Sequence, residues 1–325
     1  MKNACVVGYG AIGPIHAKAI EETGLAKFYA VCDKNPEKID ICKSSYDVKS
    51  YLDFDRMLLD ENIDSVHICT PHYLHFEMIK KALACGKSVV CEKPITMTLA
   101  EYQELLTLEN ADKVCVVLQN RFNPCAKKFK AIAENGTLGQ LQTARAVVTW
   151  NRDAEYYNQD SWRGKWATEG GGVLINQAVH TLDYFNYILG GVKSVKAQMA
   201  NFTLEDVIEV EDTVTASLIL RNGQNAVMFA TNGYGRDKFP EFEAVFEKGT
   251  VRYENGNLYI GEEIVETDQI REGKKAYWGM GHKALFENFY SGNKYFSPLD
   301  ITNTMYTLFA VYESAKNDGC RVDVE

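Results

Sequence analysis

The sequence predicts an α/β protein in two parts. The first, residues 1–121, is a doubly wound parallel sheet; the second, residues 122–325, is an α/β domain with an open, mostly antiparallel sheet. Three observations predict this. Short apolar runs alternate with helical patterns as far as Arg121. Beyond about Ser194 the apolar residues recur with period two, between turn dipeptides. A length of 325 residues suits two domains better than one.

The first stretch organises the rest. Asn3 to Val7 is apolar enough for a strand buried on both faces, and it runs into Gly8-Tyr9-Gly10-Ala11-Ile12-Gly13. Ile15, Ala19 and Ile20 then recur at helical spacing. A second apolar run, Phe28 to Cys32, ends in Asp33, 20 positions after Gly13. Strand, glycine turn, helix, strand and acid in that order form a dinucleotide fingerprint. Gly8 serves the tight turn, Gly10 the close approach of a pyrophosphate, and Gly13 the packing of helix on strand. Backbone N–H groups from Tyr9 to Ile12 and the helix N-terminus offer positive charge to phosphates. Asp33 accepts both hydroxyls of an adenosine ribose and repels a 2′-phosphate, which favours NAD; Lys34 beside it leaves NADP open. His16, one turn into the helix, either packs there or touches cofactor.

Further strands are expected at Ser65 to Thr70, Ser88 to Cys91 and Val114 to Leu118, with helices between them. Thr98 and Glu101 form a capping box. Ligands of such sheets sit at the carboxyl ends of the strands. Those ends are the glycine turn, Asp33, Thr70-Pro71, Glu92-Lys93-Pro94 and Gln119-Asn120-Arg121. Lys93 therefore arrives where a lysine can hydrogen-bond a substrate oxygen and stabilise negative charge on it. His72 and His75 form an HxxH pair without a third ligand of matching spacing, so a loop and helix start is expected rather than a metal site. His67 lies inside a strand and is expected to pack.

In the second part, the polar and aromatic stretch Asn151 to Thr168 holds Tyr156, Tyr157, Trp162, Arg163 and Trp166 and is expected to line the site. Gly170-Gly171-Gly172 opens a long amphipathic helix, Val173 to Leu189, carrying Asn176, His180 and Asp183 on one face, with Gln177 alongside. An amide four residues before a histidine and an acid three after it suggest substrate contacts; Arg121 and Tyr156 join them as candidates. Strands are expected at Leu141 to Trp150, Ser194 to Ala200, Asp212 to Leu220, Asn225 to Thr231, Glu241 to Glu247, Thr250 to Glu254 and Leu258 to Ile260. An antiparallel sheet with one helix-covered face leaves the other open, so a homodimer or homotetramer through that face is expected. Terminal helices are expected at His282 to Tyr290, where His282 packs or caps, and at Asp300 to Lys316.

The formal net charge of −9 argues against nucleic acid or an anionic membrane as partner. No window approaches the roughly 18 apolar residues of a membrane span, and the N-terminus enters the first strand without a signal-peptide pattern. Nine scattered cysteines, with no CxxC, read as reduced thiols in the cytoplasm.

Four motifs carry a resemblance. They are Gly8 to Gly13 with His16, Thr70-Pro71 with His75, Glu92-Lys93-Pro94, and Gly170-Gly171-Gly172 followed by His180-Thr181-Leu182-Asp183. Together the chain resembles the Gfo/Idh/MocA oxidoreductases. The resemblance implies a Rossmann domain followed by an open-sheet domain that builds the subunit interface. It implies that Lys93 is catalytic, that His180 is the acid–base, that Trp162-Arg163 lies near the nicotinamide, and that Thr70, Pro71, His75 and Glu92 belong to the cofactor site. Many members carry aspartate where this chain has Asn176; an asparagine takes no proton at neutral pH but both donates and accepts hydrogen bonds. The implied activity is oxidation of a secondary alcohol of a sugar or cyclitol, or reduction of the matching ketone, without metal. An NAD-dependent glycoside hydrolase and a noncatalytic dinucleotide-binding regulator are the other readings.

Overall fold

The computed structural model describes residues 1–269 and 280–324. The chain forms two compact units, Met1–Gln119 with Gly281–Ile301, and Asn120–Met280 with Thr302–Glu325.

The first unit is built on a parallel sheet of β1 (Lys2–Val7), β2 (Ala26–Cys32), β3 (Lys49–Tyr51), β4 (Ser65–Ile68), β5 (Ser88–Cys91) and β6 (Val114–Val116), in the order β3-β2-β1-β4-β5-β6. Ala4 to Val7 and all of β4 are buried, as apolar runs sandwiched by helices must be. The order reverses beside β1, which pairs with β2 on one side and β4 on the other; a crevice opens at such a switch point. β3 is a short edge strand that three residues of weak pattern did not reveal.

One expectation about boundaries differs from the structure. Helix Gly281–Ser291 packs on helix Gly13–Thr23, within the first unit, whereas the sequence placed all of 122–325 in the second part. Its buried face carries His282, Leu285 and Phe286, and Tyr290 reaches back to β4.

The second unit holds β7 (Leu141–Thr149), β8 (Val192–Ala200), β9 (Thr213–Leu220), β10 (Asn225–Thr231), β11 (Glu241–Phe246), β12 (Gly249–Glu254), β13 (Asn257–Ile260), β14 (Glu263–Thr267) and β15 (Val322–Asp323). Their order is β14-β13-β12-β11-β7-β10-β9-β8-β15. Every pair is antiparallel except β7 with β10, which run parallel. The Asn255-Gly256 turn has φ of 50° and 78°, the primed geometry that suits a two-residue hairpin. β14 and β15 were not expected; both are edge strands with few buried residues. One face packs against helices Val173–Tyr187 and Thr302–Lys316. The other presents Arg145, Val147, Lys196, Thr215, Ser217, Val227 and Phe229, with Val227 50% exposed.

The expected helix from Val173 to Leu189 is in two pieces, a π-helical stretch Val173–Ala178 and an α-helix Val179–Tyr187. It is not amphipathic in the ordinary sense. From Gly171 to Phe185 every residue is buried except Asn176 and His180, which are partly exposed.

Candidate active site

In the first unit the glycines divide their tasks as their positions require. Gly8 has φ +87°, and a Cβ there would lie 2.7 Å from the Cys69 carbonyl oxygen. A Cβ on Gly13 would lie 2.5 Å from the Gly8 carbonyl oxygen, so the helix can approach the turn only without a side chain. A Cβ on Gly10 would meet no protein atom within 4 Å. Gly10 is therefore not needed for packing and faces open space, where a pyrophosphate would approach.

Helix Gly13–Thr23 begins at Ile12 with no side-chain cap and no acid in its first turn, with Pro14 early in the helix. Three other helices of this unit are capped, by Asn35, Asp53 and Thr98, while His75–Ala84 also starts without a side-chain cap. An N-terminus left uncapped beside a glycine turn retains its N–H groups for an anion. Asp33 accepts the Tyr9 N–H on Oδ2 at 2.7 Å and the Asn35 N–H on Oδ1 at 2.8 Å, which ties the turn to the end of β2. Each oxygen keeps a lone pair for a ribose hydroxyl. The Tyr9 ring is buried, stacked on Phe28 with 6.5 Å between centroids, so this residue offers its backbone rather than its ring. Lys34 is exposed. These residues fit a dinucleotide.

His75 is fully buried. Its Nδ1 lies 2.8 Å from the Pro94 carbonyl and its Nε2 2.9 Å from the Thr70 carbonyl. Burial lowers its pKa, against the pull of the two carbonyls. The ring thus buttresses Thr70-Pro71 and Lys93-Pro94 rather than reaching a ligand itself, which corrects its expected place among the cofactor contacts. Both His75 ring nitrogens face carbonyls, so this member of the HxxH pair aims no nitrogen at a metal.

Glu92 is likewise drawn inward. Its Oε1 lies 3.0 Å from His16 Nε2 and 3.7 Å from His282 Nε2, and its Oε2 accepts the Lys93 N–H at 3.2 Å. Burial opposes its ionisation, but the two imidazoles outweigh burial and hold it well below the usual carboxylate range. From His16 the bonds continue: His16 Nδ1 to His67 Nδ1 at 3.0 Å, His67 Nε2 to the Tyr290 hydroxyl at 2.7 Å, and Tyr290 to Ser65 at 3.0 Å. Burial, and then His16 beside it, keep His67 well below its usual pKa, so it is neutral with one nitrogen donating and one accepting. His16, Glu92 and His282 place a ligand atom each within 4.8 Å of one another, the spacing of a metal trio. Here the His16 and Glu92 atoms bond each other and the array braces the base of the Glu92-Lys93-Pro94 turn. Lys93 itself is partly exposed at the end of β5, as expected.

In the second unit, close packing explains the triple glycine. A Cβ on Gly171 would collide with the Tyr312 hydroxyl, and one on Gly172 with the Glu211 carbonyl. Glu211 is the N-terminal anchor of the following helix. Its carboxylate accepts the Gly172 N–H at 2.9 Å, the Leu174 N–H at 3.1 Å and the Tyr312 hydroxyl at 2.9 Å. Burial pushes its pKa up to about 7, against those hydrogen bonds.

Asp183 and Arg121 do not face outward. Arg121 Nε donates to Asp183 Oδ2 at 2.7 Å and its NH2 to Oδ1 at 2.5 Å, while Thr304 donates to Oδ1; both residues are nearly inaccessible. A bidentate buried pair spends both charges on each other, so the expectation that each contacts substrate gives way to a scaffold role. Asn176 and His180 remain as the partly exposed pair. The Asn176 amide donates to Glu169, a fully buried carboxylate that also takes the Gly164 N–H. Gln177 accepts from Asn232 at 3.1 Å and donates to the Tyr156 hydroxyl at 3.4 Å.

The stretch 151–168 is more ordered than expected, containing helix Ala154–Asn158, capped by Asp153. Tyr157 is core, packed with Leu204, Ile208 and Val210. Arg163 stacks over Tyr156 and Trp162 at 4.7 and 4.5 Å and donates to the Tyr156 hydroxyl at 2.7 Å. Sequence reasoning missed Glu169 and Glu211; the acid directly before the glycine run was an available signal for Glu169, and Glu211, distant in the chain, carried none.

Comparison with known proteins follows the same division. Residues 2–120 match the family model described as "Oxidoreductase family, NAD-binding Rossmann fold", and residues 126–252 match that of the GFO/IDH/MocA C-terminal domain. An uncharacterised oxidoreductase, YrbE of Bacillus subtilis, is 31% identical over 77% of this chain and 73% of its own length. A myo-inositol 2-dehydrogenase of Thermotoga maritima is 29% identical over 77% and 74%. The crystal structure of the WlbA dehydrogenase from Bordetella pertussis, in complex with NADH and UDP-GlcNAcA, superposes with a TM-score of 0.86 at 27% identity, covering 100% of this chain and 99% of that one.

Proposed function

The chain belongs to the Gfo/Idh/MocA family of NAD-binding oxidoreductases, and from that premise we propose that it oxidises a secondary alcohol of a sugar, a cyclitol or a derivative, or reduces the matching ketone. The relatives named for myo-inositol and for UDP-GlcNAcA support this substrate class. The observation that carries the reading is the pair Asn176 and His180, the two positions of an otherwise buried helical run that reach solvent.

His180 takes the hydroxyl proton, the general-base role that a histidine side chain serves in a reversible transfer. Lys93 hydrogen-bonds the same oxygen and stabilises alkoxide character as it develops. Asn176 positions a neighbouring hydroxyl. Arg163, held over Tyr156 and Trp162, orders the aromatic segment next to the nicotinamide. Gly8 to Gly13 and Asp33 hold the dinucleotide, whose nicotinamide when bound supplies the hydride acceptor. Asp33 favours NAD. Residues 1–119 with 281–301 carry the cofactor and Lys93; the second unit carries His180, Asn176 and, through the open sheet face, a homodimer or homotetramer. Nine thiols, none in a disulfide, support a reducing compartment such as the cytoplasm.

The test is NADH production over a panel of sugars and cyclitols, wild type beside Lys93→Ala. Turnover in the wild type with a loss of at least about 100-fold in the variant is expected. Equal rates in both overturn the assignment of Lys93. No NADH from any member of the panel, with NADH still bound, overturns the activity.

A further inference from the structure

We propose that Gln119 is a cofactor-binding residue whose side-chain amide pairs with the carboxamide of the nicotinamide ring. The inference rests on the reading that Gly8 to Gly13 and Asp33 hold the dinucleotide; it does not depend on which alcohol is oxidised.

Of the polar residues that end β6, Arg121 is turned inward by Asp183. Gln119 is the last residue of the first unit before the chain crosses to the second. Past β6 the chain runs on beside β5: Val116 stands opposite Cys91, and the Val117 N–H donates to the Cys91 carbonyl at 2.9 Å. Gln119 therefore leaves the sheet at the same edge as Glu92-Lys93-Pro94. It is 5% exposed, and its Oε1 is out of solvent without a hydrogen-bond partner. Among the described residues none donates to this amide or accepts from it. Exchanging the oxygen and nitrogen leaves both ends unpaired, so the observation does not turn on how the amide is oriented. A buried amide without partners costs stability, and folded proteins leave few of them. At the carboxyl edge of a parallel sheet, a partner that arrives with the ligand accounts for it.

The sheet order says which part of the dinucleotide comes there. Asp33 ends β2 and suits the adenosine ribose; the glycine turn follows β1 and suits the pyrophosphate. In the order β3-β2-β1-β4-β5-β6 the other half of the molecule extends over the ends of β4, β5 and β6, strands about 5 Å apart. That half carries a primary amide, which both donates and accepts. At the three strand ends Thr70 gives its hydroxyl proton to Met78 Sδ, Glu92 bonds His16 and the Lys93 N–H, and an ammonium such as that of Lys93 only donates. A glutamine amide does both, and no protein bond stops it from turning to suit. Holding the carboxamide fixes the ring about its glycosidic bond, and with it the face that receives hydride.

Two dinucleotides that differ only at this group test the assignment. They are NADH and its acetylpyridine analogue, whose acetyl group accepts a hydrogen bond but donates none. Calorimetric titration gives the Kd of each for wild type, Gln119→Met and Gln119→Glu. Wild type is expected to bind NADH about tenfold more tightly than the analogue. Gln119→Met keeps the length of the side chain and loses both bonds. Its NADH affinity is expected to fall about tenfold or more, and its preference to shrink to within about twofold. Gln119→Glu, ionised or not, still accepts from the carboxamide N–H, so it binds both more weakly and keeps the preference. The amide has no protein partner to lose, so the thermal midpoint of Gln119→Met without ligand is expected at or above that of wild type.

Equal affinity of wild type for the two dinucleotides, or a preference that survives Gln119→Met, overturns the proposal. So does a raised KM for the alcohol in Gln119→Met with both dinucleotide affinities unmoved, which gives the amide to the substrate. A wild type that binds neither dinucleotide removes the underlying reading as well. One that discriminates through Gln119 but oxidises no sugar or cyclitol overturns the proposed function and leaves this assignment standing.

Discussion

Gly10 and Gly13 stand three residues apart and answer to different partners. Gly10 faces open space, so Gly10→Ala should fold within about 0.5 kcal/mol of wild type while weakening NADH binding. A Cβ on Gly13 would lie 2.5 Å from the Gly8 carbonyl oxygen. Gly13→Ala should therefore cost about 1–3 kcal/mol through the displaced helix. Thermal unfolding beside NADH titration separates the two; a destabilised Gly10→Ala with normal NADH affinity would contradict this division. Asp183 makes a second contrast. It was expected to touch substrate, but it neutralises Arg121 in the interior. Asp183→Ala strands a buried guanidinium and should cost about 3–5 kcal/mol of stability. Normal stability with raised KM would instead return Asp183 to the substrate. Residues defined by local pattern, such as the three glycines and Asp33, were legible in the sequence. Asp183 was not, because helical spacing says which residues share a face and not which way the face points.

At the scale of elements, two buried groups make the units respond to pH in opposite directions. Glu211 anchors the helix of Asn176 and His180 with a pKa of about 7, against an ordinary 4.5. The folded state binds its proton more tightly than the unfolded chain. Its contribution is therefore greatest at low pH and declines as pH rises from about 4.5 to about 7, by about 3 kcal/mol. Glu211→Gln should flatten that decline in the second unit, read by hydrogen exchange of amides in β8 to β10 across that range; an unaltered pH dependence would refute it. His67 works the other way. Its folded pKa is depressed, so its contribution is present above about 6.5 and is lost as pH falls below it. The first unit should accordingly open in acid while the second does not share that loss. These devices were hidden from the sequence for a physical reason. The array His16, His67, Glu92, His282 and Tyr290 draws on helix Gly13–Thr23, on β4, on the turn after β5 and on helix Gly281–Ser291, and that last helix returns to the first unit after the second sheet is complete.

At the scale of the whole molecule, the parallel sheet, the mostly antiparallel sheet and the alternation of strands with helices were readable because apolar period and turn residues are local, whereas the order of strands within each sheet was not. The edge strands β3, β14 and β15 were not, because edges bury little and leave little pattern. The uncovered sheet face exposes Val227 and Phe229 between charged and polar neighbours. If two copies of the chain meet there, Val227→Glu should lower the sedimentation coefficient to that of a monomer at micromolar concentration without disturbing NADH binding. An unchanged coefficient would remove that face from the assembly.

The proposed reaction has Lys93 and His180 act on one substrate oxygen. Groups that act as a unit are not additive. The decisive measurement is the rate of NADH formation by wild type, Lys93→Ala, His180→Ala and the double variant, on one oxidisable sugar or cyclitol. The account predicts that the double variant is no slower than the slower single variant by more than about threefold. Losses that multiply in the double variant would mean that the two side chains serve separate steps, and would contradict it.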